Sequence, residues 1–321
     1  MKEKNCLIFG GTGQIGRNLI RKLAKNNYKV TVITRNAHTK GNFIKTQANA
    51  GYIEIIELNP FDESAIGPYL KKADICINLI GILFEKGKKN SFRNIHVNFP
   101  TMLAKLSHQY NIKQLIHLSA LGVDKALDSQ YAISKLEGEK NILKNFNRSL
   151  ILRPSVVYSV DDNFSTSFMT LLSRLPIFPL YYNGLTKFTP IHCSDLTDVI
   201  VHTISENTNT KIIECVGPEV LSLREILSIL LNLINKKRFF LPFPLFIAKL
   251  TAKVFELMPN PLLTTDQLKL LKYDNVKSGN YVTNFKIGVP AKKFFNKEVE
   301  KYSYMWREGG QYSKKKPLDT I

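Results

Sequence analysis

Short apolar runs alternate with longer stretches whose apolar positions recur at helical spacing, and the alternation persists through the first half of the chain. The runs at 7–9, 29–34, 52–58, 74–81, 115–119 and 149–158 read as strands, each bounded by polar or turn residues. Between the first two, Ile15, Leu19, Ile20, Leu23 and Ala24 fall on one face of a helix. Stretches 64–71 and 97–110 carry the same periodicity. Strand and helix in strict alternation predict a doubly wound parallel α/β sheet. Beyond residue 160 the order becomes irregular and rich in aromatic residues and proline, with one clear helix at 196–204 for which Asp195 is the expected cap. The expected division is a first domain over 1–160, with segments around 188–204 returning to it, a smaller and mostly helical subdomain over 161–310, and a flexible tail over 311–321.

The first strand runs straight into Gly10-Gly11-Thr12-Gly13-Gln14-Ile15-Gly16. Gly10 permits the turn, Gly13 lets backbone approach a pyrophosphate, and Gly16 lets helix and strand pack closely. The N–H groups at the positive helix end then face the anion. Strand, glycine turn and helix in this order predict a Rossmann-type dinucleotide site, with Gly10, Thr12, Gly13, Gln14, Ile15 and Gly16 as its binding loop. Arg35 follows the second strand, where a carboxylate would select the ribose hydroxyl of NAD, so NADP(H) is favoured over NAD(H). Asn59 ends the third strand and is a further candidate for the cofactor site. Gly81 lets the end of the fourth strand pass close to the cofactor.

Tyr131 and Lys135 lie four apart on a predicted helix and therefore share a face. A lysine there would hold the nicotinamide ribose and lower the pKa of the tyrosine, which would exchange a proton with a substrate oxygen during hydride transfer. Ser119, closing the fifth strand, is the third candidate catalytic group.

Composition adds bounds. The chain has 321 residues, 44% of them apolar, and carries 45 basic against 26 acidic residues for a formal charge of +19. That surplus is lysine spread along the chain, compatible with an anionic membrane surface but attached to no nucleic-acid motif, so no nucleic acid is expected. The four cysteines (Cys6, Cys76, Cys193, Cys215) are far apart and form no ligand spacing, so no metal is expected. His192 stands alone beside an apolar strand and reads as structural. No leader or membrane span is apparent, which predicts a cytoplasmic protein, or one peripheral on the cytoplasmic face of the inner membrane. A basic, aromatic-rich helical stretch at 236–258 places Lys249 and Lys253 on one face, with Phe246, Leu250, Val254 and Leu257 largely on the other. It fits an anionic membrane surface, docking on a partner or ordinary packing on the small domain.

The GxxGxxG spacing with YxxxK resembles the short-chain dehydrogenase/reductase (SDR) superfamily. NLIGI at 78–82, ILRPSVVY at 151–158, FTPIH at 188–192, ECVGPEVLS at 214–222, PLLTTDQL at 261–268 and DNV at 274–276 resemble something narrower. They are similar to the atypical or extended SDR family of the ninth alpha-subcomplex accessory subunit of respiratory complex I and its bacterial relatives. That resemblance implies a tightly bound NADPH, a peripheral place on the membrane arm near the quinone region, and a structural or assembly role without established turnover. Some relatives are tied instead to ubiquinone biosynthesis. Two departures stand against it: Ser159, where the family usually has glycine, and Asn59, where the superfamily often has an aspartate that meets the adenine amino group, a contact an amide oxygen could also make. Leu121, where many extended members put the catalytic hydroxyl, argues instead against turnover. The alternative is an active NADP-dependent oxidoreductase or epimerase working through Tyr131 and Lys135.

Overall fold

The computed structural model describes residues 4–49, 51–206 and 210–312, so the expected tail beyond Tyr312 lies outside the described residues. The chain opens β1 (Asn5–Phe9), α1 (Gln14–Lys25), β2 (Lys29–Thr34), α2 (Ala37–Lys45), β3 (Ile53–Glu57), α3 (Glu63–Lys72) and β4 (Ile75–Asn78). It continues with α4 (Phe99–Gln109), preceded by a π-helical turn at Arg93–Asn98, then β5 (Gln114–Leu118), α5 (Gln130–Asn145) and β6 (Ser149–Pro154). Next come β7 (Val157–Tyr158), α6 (Ser165–Arg174), β8 (Ile177–Leu180), β9 (Lys187–Phe188), β10 (Ile191–His192), α7 (Cys193–Ser205) and β11 (Ile212–Cys215). The remainder is β12 (Leu221–Ser222), α8 (Leu223–Leu233), β13 (Phe239–Pro242), α9 (Leu245–Phe255), α10 (Thr265–Leu270), β14 (Val282–Thr283) and α11 (Phe295–Ser303).

Two compact units share these elements. The first comprises 1–154, 193–215 and 278–290, and the second 155–192, 216–277 and 291–321. The first unit holds an eight-stranded parallel sheet in the order β14-β11-β6-β5-β4-β1-β2-β3. The chain lays β1, β2 and β3 outward in one direction and then returns beside β1 to lay β4, β5 and β6 in the other. This reversal opens a crevice at the carboxyl ends of β1 and β4, the place where such sheets take ligands. On one face Phe9, Cys76, Leu115 and Ile151 from the strands pack against Ile66 and Leu70 of α3, Leu103 and Leu106 of α4 and Ile142 of α5. On the other face α1 lies along α7.

Two expectations need correction. The strand read over 149–158 is two strands, β6 in the large sheet and β7 paired with β10 in the second unit, because the chain changes units after Pro154. Helix α7 begins at Cys193, so Asp195 sits inside its first turn rather than capping it.

The second unit is built around α8, whose start is fixed by a reciprocal capping box between Ser222 and Glu225. Its buried stripe (Ile226, Leu227, Leu230) packs with Met169 and Leu172 of α6 and Phe295 and Val299 of α11. The DNV segment explains itself here. Asp274 Oδ1 accepts the Lys187 N–H at 2.8 Å, Asn275 Oδ1 accepts Ser155 Oγ–H at 2.6 Å, and the Asn275 carbonyl accepts the Thr189 N–H at 3.2 Å. It is a clasp, and Gly217 is equally structural, since a Cβ there would lie 1.8 Å from the Pro190 carbonyl oxygen.

Candidate functional site

The glycine loop has the shape its spacing implies, and the three glycines serve different ends. Gly10 sits at φ +82°, where a side chain is strained, and a Cβ there would press on the Leu79–Ile80 backbone at 3.1–3.2 Å. Gly16 is buried, and a Cβ would come within 2.5 Å of Gly11 Cα and O. Gly13 is different: it is exposed, and a Cβ would meet only the Gly10 carbonyl oxygen at 3.4 Å. Gly13 is also the N-cap of α1, where no side chain caps the helix and no acidic residue occupies the first turn. A pyrophosphate fits this arrangement, since the uncapped N–H groups and the helix dipole are directed past a residue with no side chain. Thr12, Gln14 and Ile15 complete the half-exposed rim.

Past the ends of β2 and β3 lies an open cleft of about 880 Å³, which Arg35, Asn59, Glu57, Lys89, Phe99 and Met102 help to line. Arg35 and Asn59, far apart in sequence, thus share one cavity of a size suited to a nucleoside. Arg35 donates to Asn90 Oδ1 at 3.3 Å. Asn59 Oδ1 accepts the Phe61 N–H at 3.2 Å, so the oxygen expected to meet an adenine amino group already serves a local turn through one lone pair. The Glu57 carboxylate accepts the Ala37 N–H at 2.7 Å. Lys89 was missed by the sequence reading. It comes from a loop that carries no motif, and whose backbone closes on itself through Lys86 and Asn90.

The second group of candidates gathers on α5. Ser129 caps the helix by accepting the Ala132 N–H at 3.3 Å, which starts it just ahead of Tyr131. Lys135 is buried, and its Nζ donates to the Leu118 carbonyl at 3.1 Å. Gly81 lies against it: a Cβ at Gly81 would stand 3.1 Å from Lys135 Nζ. The lysine pKa is pushed down to about 8, chiefly by burial, with Glu139 opposing the shift. Tyr131 is pushed up to about 12 by burial, which corrects the expectation that Lys135 would lower it in the protein alone. Ser119, directly after the Leu118 carbonyl that holds Lys135, is 5% exposed, and its Oγ has no hydrogen-bond partner among the described residues. A buried hydroxyl in that state is suited to a ligand's polar group.

His96 was also missed, and the π-helical turn before α4 explains its placement. The His96 ring is fully buried, stacks on Phe92 at 5.3 Å and meets the Tyr131 ring edge-on at 5.3 Å. Its Nε2 accepts the Ile82 N–H at 3.2 Å, so Nδ1 carries the proton and donates to Ser134 Oγ at 2.9 Å. Burial, Lys135 and His117 hold its pKa near 2, so it stays neutral and works as a clamp between the β4 loop and α5. The approach is tight, because a Cβ on Gly138 of α5 would fall 1.9 Å from the His96 carbonyl oxygen.

A buried ion-pair network fixes α5 on the sheet. Arg153 of β6 makes hydrogen bonds of 3.0 and 2.6 Å to the two oxygens of Glu139 and one of 2.7 Å to Asp124, and stacks 4.6 Å from the Tyr281 ring centre. Arg153 is the arginine of the LRP motif, so this part of the family pattern is a brace behind the site. His192 makes an edge contact with Tyr158 in the second unit.

The protein's own groups therefore present an uncapped helix start behind a glycine turn, an open cleft and a Tyr131/Lys135 pair. A nicotinamide dinucleotide, when bound, would supply the hydride chemistry. The chain would supply the anchoring N–H groups, a lysine for the ribose and a tyrosine hydroxyl for proton exchange. The model of the NAD dependent epimerase/dehydratase family matches residues 6–215. The chain is 26% identical over 315 residues to the mitochondrial NADH dehydrogenase [ubiquinone] 1 alpha subcomplex subunit 9 of Arabidopsis thaliana, covering 94% of this chain and 78% of that one. It is 24% identical over 272 residues to the mitochondrial NADH-ubiquinone oxidoreductase 40 kDa subunit of Neurospora crassa, covering 84% and 71%. Its fold resembles that of the dTDP-glucose 4,6-dehydratase of Bacillus anthracis solved with NAD, with a TM-score of 0.70, 14% identity and coverage of 94% and 96%.

Proposed function

Because the chain belongs to the NAD dependent epimerase/dehydratase family, we propose that it is a dinucleotide-loaded binding protein, an accessory or assembly subunit of an NADH:ubiquinone oxidoreductase or a component of quinone metabolism. The observation that carries this reading is the reach of the similarity. The family model ends at residue 215, whereas the likeness to the Arabidopsis subunit extends over 94% of the chain and so takes in much of the second unit. Its place is peripheral at a membrane, with respiratory subunits as partners. Among the described residues no helix is long and apolar enough to cross one.

NADP(H) is the proposed cofactor. Arg35 stands just past β2, where a carboxylate would select a ribose hydroxyl, and its guanidinium lines the cleft with Lys89, Glu57 and Glu63. A basic side chain at that position suits a 2′-phosphate.

The second reading, turnover of a small molecule as an oxidoreductase or epimerase, is favoured by the Tyr131/Lys135 pair beside Gly81 and by the unpartnered Ser119 hydroxyl. Two substitutions separate the readings. Gly13→Val, which puts branched carbons where a pyrophosphate would lie, is expected to abolish the protein's contribution to quinone reduction by host membranes, whereas Tyr131→Phe leaves that contribution intact. Loss of the contribution in Tyr131→Phe would overturn the binding role in favour of catalysis.

A further inference from the structure

Helix α9 is oriented with its apolar side outward. The residues it buries are Ala248 and Ala252, which pack with Leu268, Tyr181 and Phe243 of the same unit. On the opposite side, at i, i+4 and i+3 spacing, stand Phe246 (74% exposed), Leu250 (65%), Val254 (57%) and, just past the helix, Leu257 (85%). The sequence suggested that this stripe would face a membrane, a partner or the small domain's own core. The alanines have taken the core position, and the large side chains are left in water.

We propose that this face is where the second unit seats in the headgroup region of an anionic lipid bilayer. The proposal deepens the membrane-peripheral part of the reading above and rests on it. Charge selects the occupant. From 236 to 262 the chain has five basic residues and one acidic residue, and the carboxylate of that one, Glu256, accepts the N–H and hydroxyl of Thr265 at 2.7 Å. Two of the basic residues are structural: Lys236 pairs with Glu308, and Arg238 donates to the carbonyls of Leu172 and Ser173. Lys249 and Lys253 are exposed and run along one border of the apolar stripe. An aromatic and aliphatic stripe bordered by lysines, on a helix lying flat, is suited to apolar insertion beneath anionic headgroups. Phe239 (80% exposed) on β13 of the same unit adds apolar surface before the helix.

The test is sedimentation of the full-length, cofactor-loaded protein with vesicles of phosphatidylcholine, alone or mixed with phosphatidylglycerol. Binding is expected to the mixed vesicles and to weaken by at least about fivefold for each of Lys249→Glu and Lys253→Glu. The pair Phe246→Ser with Leu250→Ser should weaken it at least about tenfold. All four exchanged side chains are exposed, so unchanged thermal unfolding and nucleotide content would show that fold and cofactor site survive. Because all four native cysteines are buried, an environment-sensitive label on L250C reports insertion directly, as a blue shift on mixing with the anionic vesicles. Equal sedimentation of the wild type and the Phe246/Leu250 variant, or a stripe that drives self-association without lipid binding, would overturn the proposal. Co-purification with respiratory subunits is unaffected by either outcome, so the accessory reading fails or stands separately.

Discussion

Gly13 and Gly16 separate binding from folding within one loop. A methyl at Gly16 would collide with Gly11 backbone that has nowhere to move, whereas a methyl at Gly13 would meet one carbonyl at ordinary contact distance. Gly16→Ala is therefore expected to cost about 1–3 kcal/mol or more of stability. Gly13→Ala should leave the melting temperature of the nucleotide-free protein nearly unchanged while weakening dinucleotide binding at least about tenfold, since the methyl stands in the path of the anion. Calorimetry on the two variants with and without NADPH reads both effects. The glycines, Arg35, Asn59 and the Tyr131/Lys135 pair were legible because each belongs to a spacing that backbone geometry demands. His96 was not, because a buried histidine leaves no periodic trace and the π-helical turn that delivers it has no sequence signature. The direction of the Tyr131 shift was also out of reach, since it depends on burial rather than on the neighbour four residues away.

At the scale of elements, α5 carries the candidate chemistry and is held from behind. Arg153 of β6 reaches it through Glu139, with both side chains nearly inaccessible. Removing Glu139 would leave the buried guanidinium with Asp124 as its one carboxylate partner, so Glu139→Ala is expected to destabilise the first unit by about 3 kcal/mol. Replacing both with a volume-matched apolar pair should cost much less. Denaturant unfolding of the two variants checks this. The brace also clarifies what the motifs in the sequence mean: LRP at 152–154 and DNV at 274–276 are recognisable, yet both serve the frame. The alternation of short apolar runs and amphipathic stretches located the strands of the sheet through β6, because a strand buried on both faces and a half-buried helix leave different periods. It did not locate β14, two residues long, and it read 149–158 as a single strand and hinge, whereas Arg153-Pro154-Ser155 interrupts the apolar run where the chain changes units.

The whole molecule joins a nucleotide-binding unit to one whose outward helix face is apolar and basic, on a chain of net charge +19. Its relatives include mitochondrial NADH-dehydrogenase subunits, and the proposed role follows from that likeness taken together with the uncapped start of α1. The decisive measurement is affinity capture of the full chain from native membranes extracted in mild detergent, with its partners and its bound nucleotide identified. The account predicts co-purification with subunits of the quinone-reducing complex and about one NADP(H) retained per chain. A partner-free protein that releases its nucleotide on washing would contradict it.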